Sequence, residues 1–191
     1  MAEELEDWLR NRGKPVDEEA LKQAYRNKVS SAQGQHFEEE ILAACKYYKR
    51  ERIAVIDKTP EPFRVMKKDK NGIFTGRFTK AAQPDFQGTL QNGISIVFEA
   101  KKTSKDRINR NVLTEEQMNV LEAHQSMSAK CYVCACIADQ CFMIPWEIWR
   151  DMKEHFGRKY IKAEDVTQYK VKFDGKVHFL QNIIQELREA Q

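Results

Sequence analysis

The chain has 191 residues, of which 41% are hydrophobic and 32% are charged, and its formal net charge is +3 at pH 7. This length and composition are typical of one globular domain with a sizeable core, and they disfavour two full domains. No apolar run reaches the length of a membrane-spanning helix, and the acidic opening MAEELEDWLR is unlike a basic signal peptide. We therefore expect a cytoplasmic protein without a membrane partner.

The N-terminal region shows two helical patterns between Ala2 and Val29, separated by Gly13, Lys14 and Pro15. The following stretch from Ser30 to Gly34 predicts a break in helical structure. We accordingly expect a helical arm over residues 1–30 and a main domain over residues 31–191. The arm has two open interpretations, packing on the main domain or recruitment of a partner.

A helix is predicted from His36 to Tyr48, because apolar residues recur there at steps of three and four. The buried stripe of this helix consists of Phe37, Ile41, Cys45 and Tyr48. Three glutamates stand near its start, and Glu38 should point closer to the core than Glu39 because its helical neighbours are apolar. Glutamates near a helix start also favour the macrodipole while remaining solvated, so their placement alone assigns no function.

The next region combines a short strand, Arg52–Ile56, with a basic segment over residues 66–82. Thr59, Pro60 and Pro62 should end that strand or confine it to a sheet edge. In the basic segment, cationic residues flank Phe74 and Phe78 around an Asn-Gly turn. The segment fits two interpretations equally, a nucleic-acid contact with exposed aromatics or a solvated loop with core-facing phenylalanines.

The stretch PDFQGTLQNGISIVFEAK, residues 84–101, carries the most informative chemistry. Its Asn92-Gly93 pair predicts a two-residue hairpin turn between two strands. On the second strand Glu99 and Lys101 alternate with apolar residues, so they share one face. Carboxylates of this kind bind Mg²⁺ through oxygen, and a neighbouring lysine can orient or activate water and offset phosphate charge.

A strict two-residue turn places Asp85 opposite Ala100, which turns its side chain away from Glu99 and Lys101. Gly88 lies between, and a glycine inside a strand is typical of a bulge that moves later residues to the other face. We therefore predict a bulge or kink between Asp85 and Leu90.

Beyond this hairpin, the basic run from Lys101 to Arg110 is expected to form a loop that contacts a phosphate backbone, held in part by Thr103. The tetrapeptide T-E-E-Q, residues 114–117, then predicts a helix from Thr114 to His124 with a capping box. In that box Gln117 reaches back to the first turn, which is a purely structural account of this residue.

Four of the five cysteines lie between Cys131 and Cys141, and this spacing is unlike a secreted disulfide framework. Two strands are predicted there, Cys131–Ile137 and Cys141–Ile144. Zinc binding is disfavoured because Cys131 and Cys134 point to opposite faces of a strand. Trp146 and Trp149 follow in a helix opened by Pro145, and we expect both to pack in the core.

Pro-Asp, then thirteen residues, then E-x-K resembles the motif of the PD-(D/E)XK nuclease superfamily. The neighbouring segments GQHFEEEILAACKYYKRERIAVIDKTPEPFRV, QPDFQG and IVFEAKKT are similar to those of RecU-like Holliday junction resolvases, including phage-type proteins. This resemblance spans roughly Gly34 to Trp149. It implies an α/β fold, a restriction-endonuclease-like mixed central sheet flanked by helices, with a basic stalk-like insertion over residues 66–82 of the nuclease domain.

The resemblance also implies roles for individual residues. Asp85, Glu99 and Glu38 are the expected metal ligands, for Mg²⁺ with Mn²⁺ as a substitute. Lys101 is expected to assist the attacking water, and Gln117 to lie near the metal and position water or a ligand. All five are the candidate catalytic residues.

The implied substrate is branched double-stranded DNA, and symmetric cleavage of a four-way junction implies a homodimer. The candidate DNA-binding residues are Lys67, Lys68, Lys70, Phe74, Arg77, Lys80, Lys102, Lys105, Arg107 and Arg110. No phosphate-cradling loop motif is present, so no nucleotide cofactor is expected.

Two competing hypotheses remain at this stage. The first is a general or phage-type PD-(D/E)XK nuclease that acts on linear DNA, which the motif residues cannot separate from a resolvase. The second is a DNA-binding scaffold of the same fold without catalysis, against which the complete D, E-x-K set argues.

Overall fold

The structure of the protein is a computed structural model that describes residues 18–60, 63–69, 71–78, 83–91 and 93–189. Residue contacts divide the chain into two compact units, Met1–Gln33 and Gly34–Gln191. The predicted first helix and its Gly13–Pro15 linker lie outside the described residues. The division into an arm and a nuclease domain stays a prediction. Every helix within the described ranges is too short or too polar to cross a bilayer.

The first described element is the helix α1, Glu18–Arg50. The predicted break between Ser30 and Gly34 is wrong, because the helix runs through this stretch without interruption. A single glycine costs a helix only about 1 kcal/mol relative to alanine, so Gly34 alone does not end it. The predicted stripe is confirmed, since all four of its residues are buried: Phe37, Ile41, Cys45 and Tyr48.

A six-stranded mixed sheet forms the centre of the second unit. Its strands are β1 (Ala54–Lys58), β4 (Phe86–Leu90), β5 (Ser95–Thr103), β7 (Lys130–Ile137), β8 (Gln140–Pro145) and β10 (Lys170–Val171), and they lie side by side in this order. Only β5 and β7 pair in parallel, and the other four pairs are antiparallel. The strand predicted before Pro60 is therefore an edge strand, as expected.

Two small ribbons accompany this sheet. The strands β2 (Phe63–Lys68) and β3 (Phe74–Phe78) form an antiparallel hairpin. The strands β6 (Arg107–Asn109) and β9 (Tyr160–Lys162) form the second antiparallel ribbon, although they are about fifty residues apart in sequence. The predicted loop over Lys101–Arg110 is wrong for most of its length, because β5 continues to Thr103 and β6 begins at Arg107.

The helices cover both faces of the sheet. The α2 helix spans Glu115–Ser126, the α3 and α4 helices span Trp146–Arg150 and Met152–Phe156, and the α5 helix spans Gln181–Glu189. Short 3-10 segments lie at Arg110–Val112 and Ala163–Tyr169. The predicted mixed α/β architecture, a central sheet flanked by helices, is thus confirmed.

Because both faces are covered, the sheet carries two separate cores. One contains Phe37 of α1 with Phe98 and Cys134 of the sheet, and the other contains Val97 and Cys131 with Trp149 of α3. Cys131 and Cys134 therefore face opposite sides, as the strand period requires. All five cysteines are buried free thiols, and burial raises the pKa of Cys131 to about 12. Trp146 and Trp149 are buried as predicted.

Candidate active site

The hairpin between β4 and β5 determines where the acidic residues lie. Its pairs run from Phe86 opposite Phe98 to Thr89 opposite Ser95, and the Leu90 N–H donates to the Ile94 carbonyl at 2.9 Å. The connection therefore has three residues, 91–93, and not the predicted two. Gly93 has a φ of +83°, which suits the last position of a three-residue hairpin loop. Asn92 lies outside the described residues.

The extra loop residue changes which side chains share a face. In this register Asp85, just before β4, falls opposite Glu99 instead of Ala100, so the two carboxylates lie on the same side. The predicted bulge at Gly88 is wrong, because β4 pairs without interruption with both β5 and β1. Gly88 is required for a different reason: a Cβ atom there would lie only 2.1 Å from the Val55 carbonyl oxygen.

Backbone hydrogen bonds hold Asp85 from both sides. The Ala100 N–H donates to Asp85 Oδ2 at 2.9 Å, and the Asp85 carbonyl accepts from the Thr59 N–H at 2.9 Å. The first bond ties the side chain to β5, and the second ties the main chain to the end of β1. The carboxylate is thus fixed by the sheet itself and not by a flexible loop.

Lys101 joins the two carboxylates. Its Nζ lies 3.3 Å from Asp85 Oδ2 and 3.0 Å from Glu99 Oε2, and only about a fifth of the side chain is exposed. Burial by itself lowers the pKa of Lys101, but the facing carboxylates of Glu99 and Asp85 outweigh it and raise that pKa above its ordinary value. The position of the ammonium marks a point where the site favours positive charge.

Glu99 is the most buried acidic residue of the site, with only 1% of its surface exposed. Burial raises the pKa of Glu99 from 4.5 to about 7; Lys101 opposes this shift and Asp85 adds to it. A buried carboxylate with such a pKa ionises readily only when positive charge compensates it. A divalent cation beside Glu99 would favour its ionised form.

Gln117 connects the carboxylate site to α2. Its Nε2 donates to Glu99 Oε2 at 2.5 Å, while its Oε1 accepts from the Thr114 N–H at 3.1 Å. The Gln117 N–H also donates to Thr114 Oγ1 at 3.2 Å, which completes the predicted capping box. One amide group thus caps the helix and contacts the buried carboxylate, while its predicted role in positioning water or a ligand stays a prediction.

Glu38 stands apart from the other acidic residues. It forms an ion pair of 2.6 Å with Lys58, at the end of β1, and one residue later Thr59 binds the Asp85 carbonyl. The Glu38 side chain is 25% exposed and that of Glu39 is 75% exposed, which confirms their predicted order. Glu40, which the sequence did not single out, is more buried than either. Metal binding by Glu38 stays a prediction.

Asp85 and Glu99 fit a hard divalent cation that takes only a few of its ligands from the protein. No group of three histidine, cysteine, aspartate or glutamate side chains clusters within the described ranges. Mg²⁺ is commonly held by one or two carboxylates, with water and substrate phosphate completing its shell. Asp85 and Glu99 supply such a pair, because one oxygen of each already contacts the same ammonium group.

The basic hairpin β2–β3 carries several of the predicted DNA-binding residues. Asp69 closes its turn by accepting from the N–H groups of Asn71 and Ile73 at 2.9 and 3.0 Å. Phe74 is 53% exposed, so the alternative that it faces a core is wrong. Lys67 and Arg77 are also exposed. Lys70, Lys80 and the side chain of Lys68 lie outside the described residues.

The predicted basic residues at the end of β5 and beyond it make contacts within the protein. Lys102 Nζ lies 5.8 Å from the Phe37 ring centre, Arg107 lies over the ring of Tyr160, and Arg110 Nε donates to the Arg150 carbonyl at 2.9 Å. The Lys105 N–H donates to Thr103 Oγ1 at 3.2 Å, so Thr103 holds this turn as expected. Arg110 also borders a polar cleft with Lys159 and Tyr160 that the sequence did not reveal.

Taken together, the mixed sheet and the hairpin-borne Asp85, Glu99 and Lys101 define an α/β protein of the PD-(D/E)XK type. The model of the family described as Recombination protein U, RecU, matches residues 32–187. The chain belongs to the RecU family.

The chain is also similar to individual relatives and to a solved structure. The chain is 26% identical over 148 residues to Holliday junction resolvase RecU of Bacillus subtilis (strain 168), covering 72% of this chain and 71% of that protein. It is 27% identical over 145 residues to Holliday junction resolvase RecU of Streptococcus pneumoniae serotype 19F (strain G54), covering 71% and 73%. The Holliday junction resolvase Hjc of Archaeoglobus fulgidus superposes with a TM-score of 0.45 at 12% identity, covering 74% of this chain and 92% of that one.

Proposed function

We propose that this protein is an endonuclease that resolves four-way DNA junctions by metal-dependent hydrolysis of phosphodiester bonds. The observation that carries the proposal is the convergence of Asp85 and Glu99 on Lys101 Nζ, within 3.3 Å. Membership of the RecU family and the names of the relatives support the choice of a junction as the substrate.

Asp85 and Glu99 would hold Mg²⁺, or Mn²⁺ as a substitute, and Glu38 is the candidate for an additional carboxylate contact. A bound divalent cation polarises a scissile phosphate and lowers the pKa of a coordinated water. Asp85 is suited to this task because the Ala100 N–H fixes its oxygen. Glu99 is suited because Gln117 fixes its orientation, as neighbouring hydrogen bonds commonly do for metal ligands.

Lys101 contributes hydrogen-bond donors and positive charge next to the reacting phosphate. Its ammonium is compact and lies next to both carboxylates, so it is close enough to offset negative charge that develops on a phosphate bound there. The same N–H donors can orient an attacking water. Lys101 therefore acts on water and phosphate while the two carboxylates act on the metal.

The substrate contacts divide into two groups. The hairpin β2–β3, with its adjoining residues, supplies Lys67, Lys68, Lys70, Phe74, Arg77 and Lys80. The end of β5 and the segment that follows it supply Lys102, Lys105, Arg107 and Arg110. Basic side chains bind phosphates, and an exposed aromatic such as Phe74 can stack on bases opened at a branch point.

Symmetric cutting of a four-way junction needs two active sites related by a dyad, so we propose that the working form is a homodimer. Light scattering coupled to size-exclusion chromatography tests this with the free protein and with its junction complex. A strictly monomeric active species would contradict the dimer.

The decisive experiment compares a labelled four-way junction with a linear duplex of the same sequence, in Mg²⁺, in Mn²⁺ and in chelator. We expect paired symmetric nicks in the junction that require the metal. Asp85→Asn and Lys101→Ala should abolish cleavage while junction binding and folding persist. Full cleavage by either purified variant would overturn the site assignment.

The same experiment separates the competing functions. Equal cutting of linear and branched DNA keeps the active site but makes the protein a general nuclease. Junction binding without cleavage by the wild type, in any of the metals, makes it a non-catalytic scaffold.

A further inference from the structure

The ribbon β6–β9 presents a polar face away from the core. Ile108 and Ile161 pair across the ribbon and are both buried. Because side chains alternate along a strand, Arg107 and Asn109 project on the opposite side, together with Tyr160 from β9. This face is therefore outward and carries cationic, amide and aromatic groups.

A cleft of about 500 Å³ lies at the end of this ribbon, lined by Asn109, Arg110, Asn111, Lys159 and Tyr160. Clefts of this size accommodate a ligand as large as a nucleotide, but sites for apolar ligands are lined mainly by hydrophobic side chains. Here the lining contains two amides, two cations and a phenol, and no acidic residue. Its chemistry fits a hydrated anion.

The two cations are placed differently. Arg110 Nε is fixed by the Arg150 carbonyl, which leaves the terminal guanidinium nitrogens for a further acceptor. Lys159 is exposed, and its ammonium forms no ion pair within the described part of the chain. The cleft thus offers the guanidinium of Arg110, which is held at Nε, and the exposed ammonium of Lys159. Both groups are suited to bind phosphate.

Tyr160 organises the rim of the cleft. The guanidinium carbon of Arg107 lies 4.8 Å from its ring centre, and that of Arg158 lies 4.9 Å from it. Arg158 is also paired with Asp165 at 2.6 Å, so it supports the ring without adding free charge. Arg107 keeps its charge at the surface while its guanidinium is held against an aromatic face.

We propose that this cleft binds a backbone phosphate of a duplex DNA arm, at a position separate from the phosphate that is cut. The proposal rests on the proposed function only in taking DNA as the substrate. Asn111 lies three residues before the capping Thr114, and Gln117, which binds Glu99, is the third residue of the helix that Thr114 caps. The chain between Asn111 and Gln117 spans at most about 15 Å, which is roughly the length of four base-pair steps of B-form DNA. One duplex arm is therefore long enough to contact the cleft and the candidate active site together.

The test measures the salt dependence of DNA binding by the full chain, using fluorescence anisotropy with a labelled linear duplex and a labelled junction in chelator. Lys159→Ala should lower the slope of log K against log salt by about one and weaken binding roughly tenfold at low salt. Lys159→Arg should retain the wild-type slope. The matched control is Lys46→Ala, which removes an exposed lysine of α1 and should leave the slope unchanged.

The outcomes separate this inference from the proposed function. A Lys159→Ala slope equal to those of the wild type and Lys46→Ala would overturn the cleft assignment, while metal-dependent junction cleavage is judged independently. A reduced slope in a protein that never cleaves would support the cleft and reject the enzyme. Absence of wild-type binding to either DNA would reject both.

Discussion

The side-chain amide of Gln117 donates a hydrogen bond of 2.5 Å to the buried carboxylate of Glu99 while its oxygen caps the helix that carries it. This relationship joins the start of α2 to the candidate active site. The helix cannot begin elsewhere without losing the bond to Glu99. Local helix capping and the orientation of a candidate metal ligand therefore depend on one residue.

Gln117→Ala and Thr114→Ala separate these two effects. Both variants break the capping box: Thr114→Ala should lose about 1 kcal/mol of stability against urea, and Gln117→Ala should lose more because its bond to the buried Glu99 is also lost. Only Gln117→Ala loses the bond to Glu99, and we expect its cleavage rate at saturating metal and DNA to fall at least tenfold below that of Thr114→Ala. Equal cleavage rates for the two variants would mean that Gln117 acts only as a capping residue.

The burial of Glu99 predicts a dependence of stability on pH. Because burial raises the pKa of Glu99 from 4.5 to about 7, the folded state holds this proton more tightly than the unfolded state. Its contribution is complete below about pH 4.5 and is lost as the pH rises towards 7, by roughly 3 kcal/mol in total.

Glu99→Gln removes this ionisation but keeps the shape of the side chain. In chelator, the stability of Glu99→Gln relative to the wild type should therefore rise between about pH 4.5 and 7 and then level off. Urea unfolding of both proteins across this range provides the measurement. A difference that stays constant with pH would mean that Glu99 is not held in a desolvated position.

How far the sequence predicts this site is clearest at the hairpin. The residues Asp85, Glu99 and Lys101 were predicted to meet, but through a bulge at Gly88. The structure brings them together through a three-residue loop, because an Asn-Gly pair followed by a strand fits loops of two or three residues. A change of one residue in loop length moves every side chain of one strand to the other face of the hairpin. The local sequence does not determine that loop length.

Other features depend on contacts that are distant in sequence. The cleft at Asn111 and Lys159 forms only when β6 pairs with β9, and strands of three residues carry too weak a pattern to predict that pairing. The burial of Glu40 likewise depends on which side of α1 meets the sheet. By contrast, the capping box at Thr114 is encoded within four residues and was predictable.

Gly88→Ala should be strongly destabilising. Its Cβ would lie 2.1 Å from the Val55 carbonyl oxygen and 2.6 Å from the Ile56 Cα, so the backbones of β1 and β4 would have to separate. We expect a loss of about 3 kcal/mol, and weaker cleavage because Thr59 at the end of β1 holds Asp85.

The matched control for Gly88→Ala is Gly34→Ala, in the middle of α1. A Cβ atom there meets nothing within 4 Å, and alanine favours the helix by up to about 1 kcal/mol. Thermal and urea unfolding of both variants should give shifts of opposite sign. Wild-type stability in Gly88→Ala would mean that β1 does not lie against β4 at this point.

Phe74 provides a test of the basic hairpin as the element that distinguishes branched from linear DNA. Its side chain is 53% exposed on β3, so Phe74→Ser should lower the free energy of unfolding by only about 1 kcal/mol and leave the protein folded. If the ring stacks on a base at the branch point, its loss should lower junction affinity roughly tenfold. Linear duplex binding should stay nearly unchanged, since its bases remain paired and stacked.

The control is Met127→Ser, which removes a side chain that is 81% exposed at the end of α2. Competition binding with junction and duplex measures the ratio of the two affinities. If the ratio of junction affinity to duplex affinity falls equally in both variants, or does not fall in Phe74→Ser, Phe74 does not recognise the junction. Selectivity would then depend on the cationic residues.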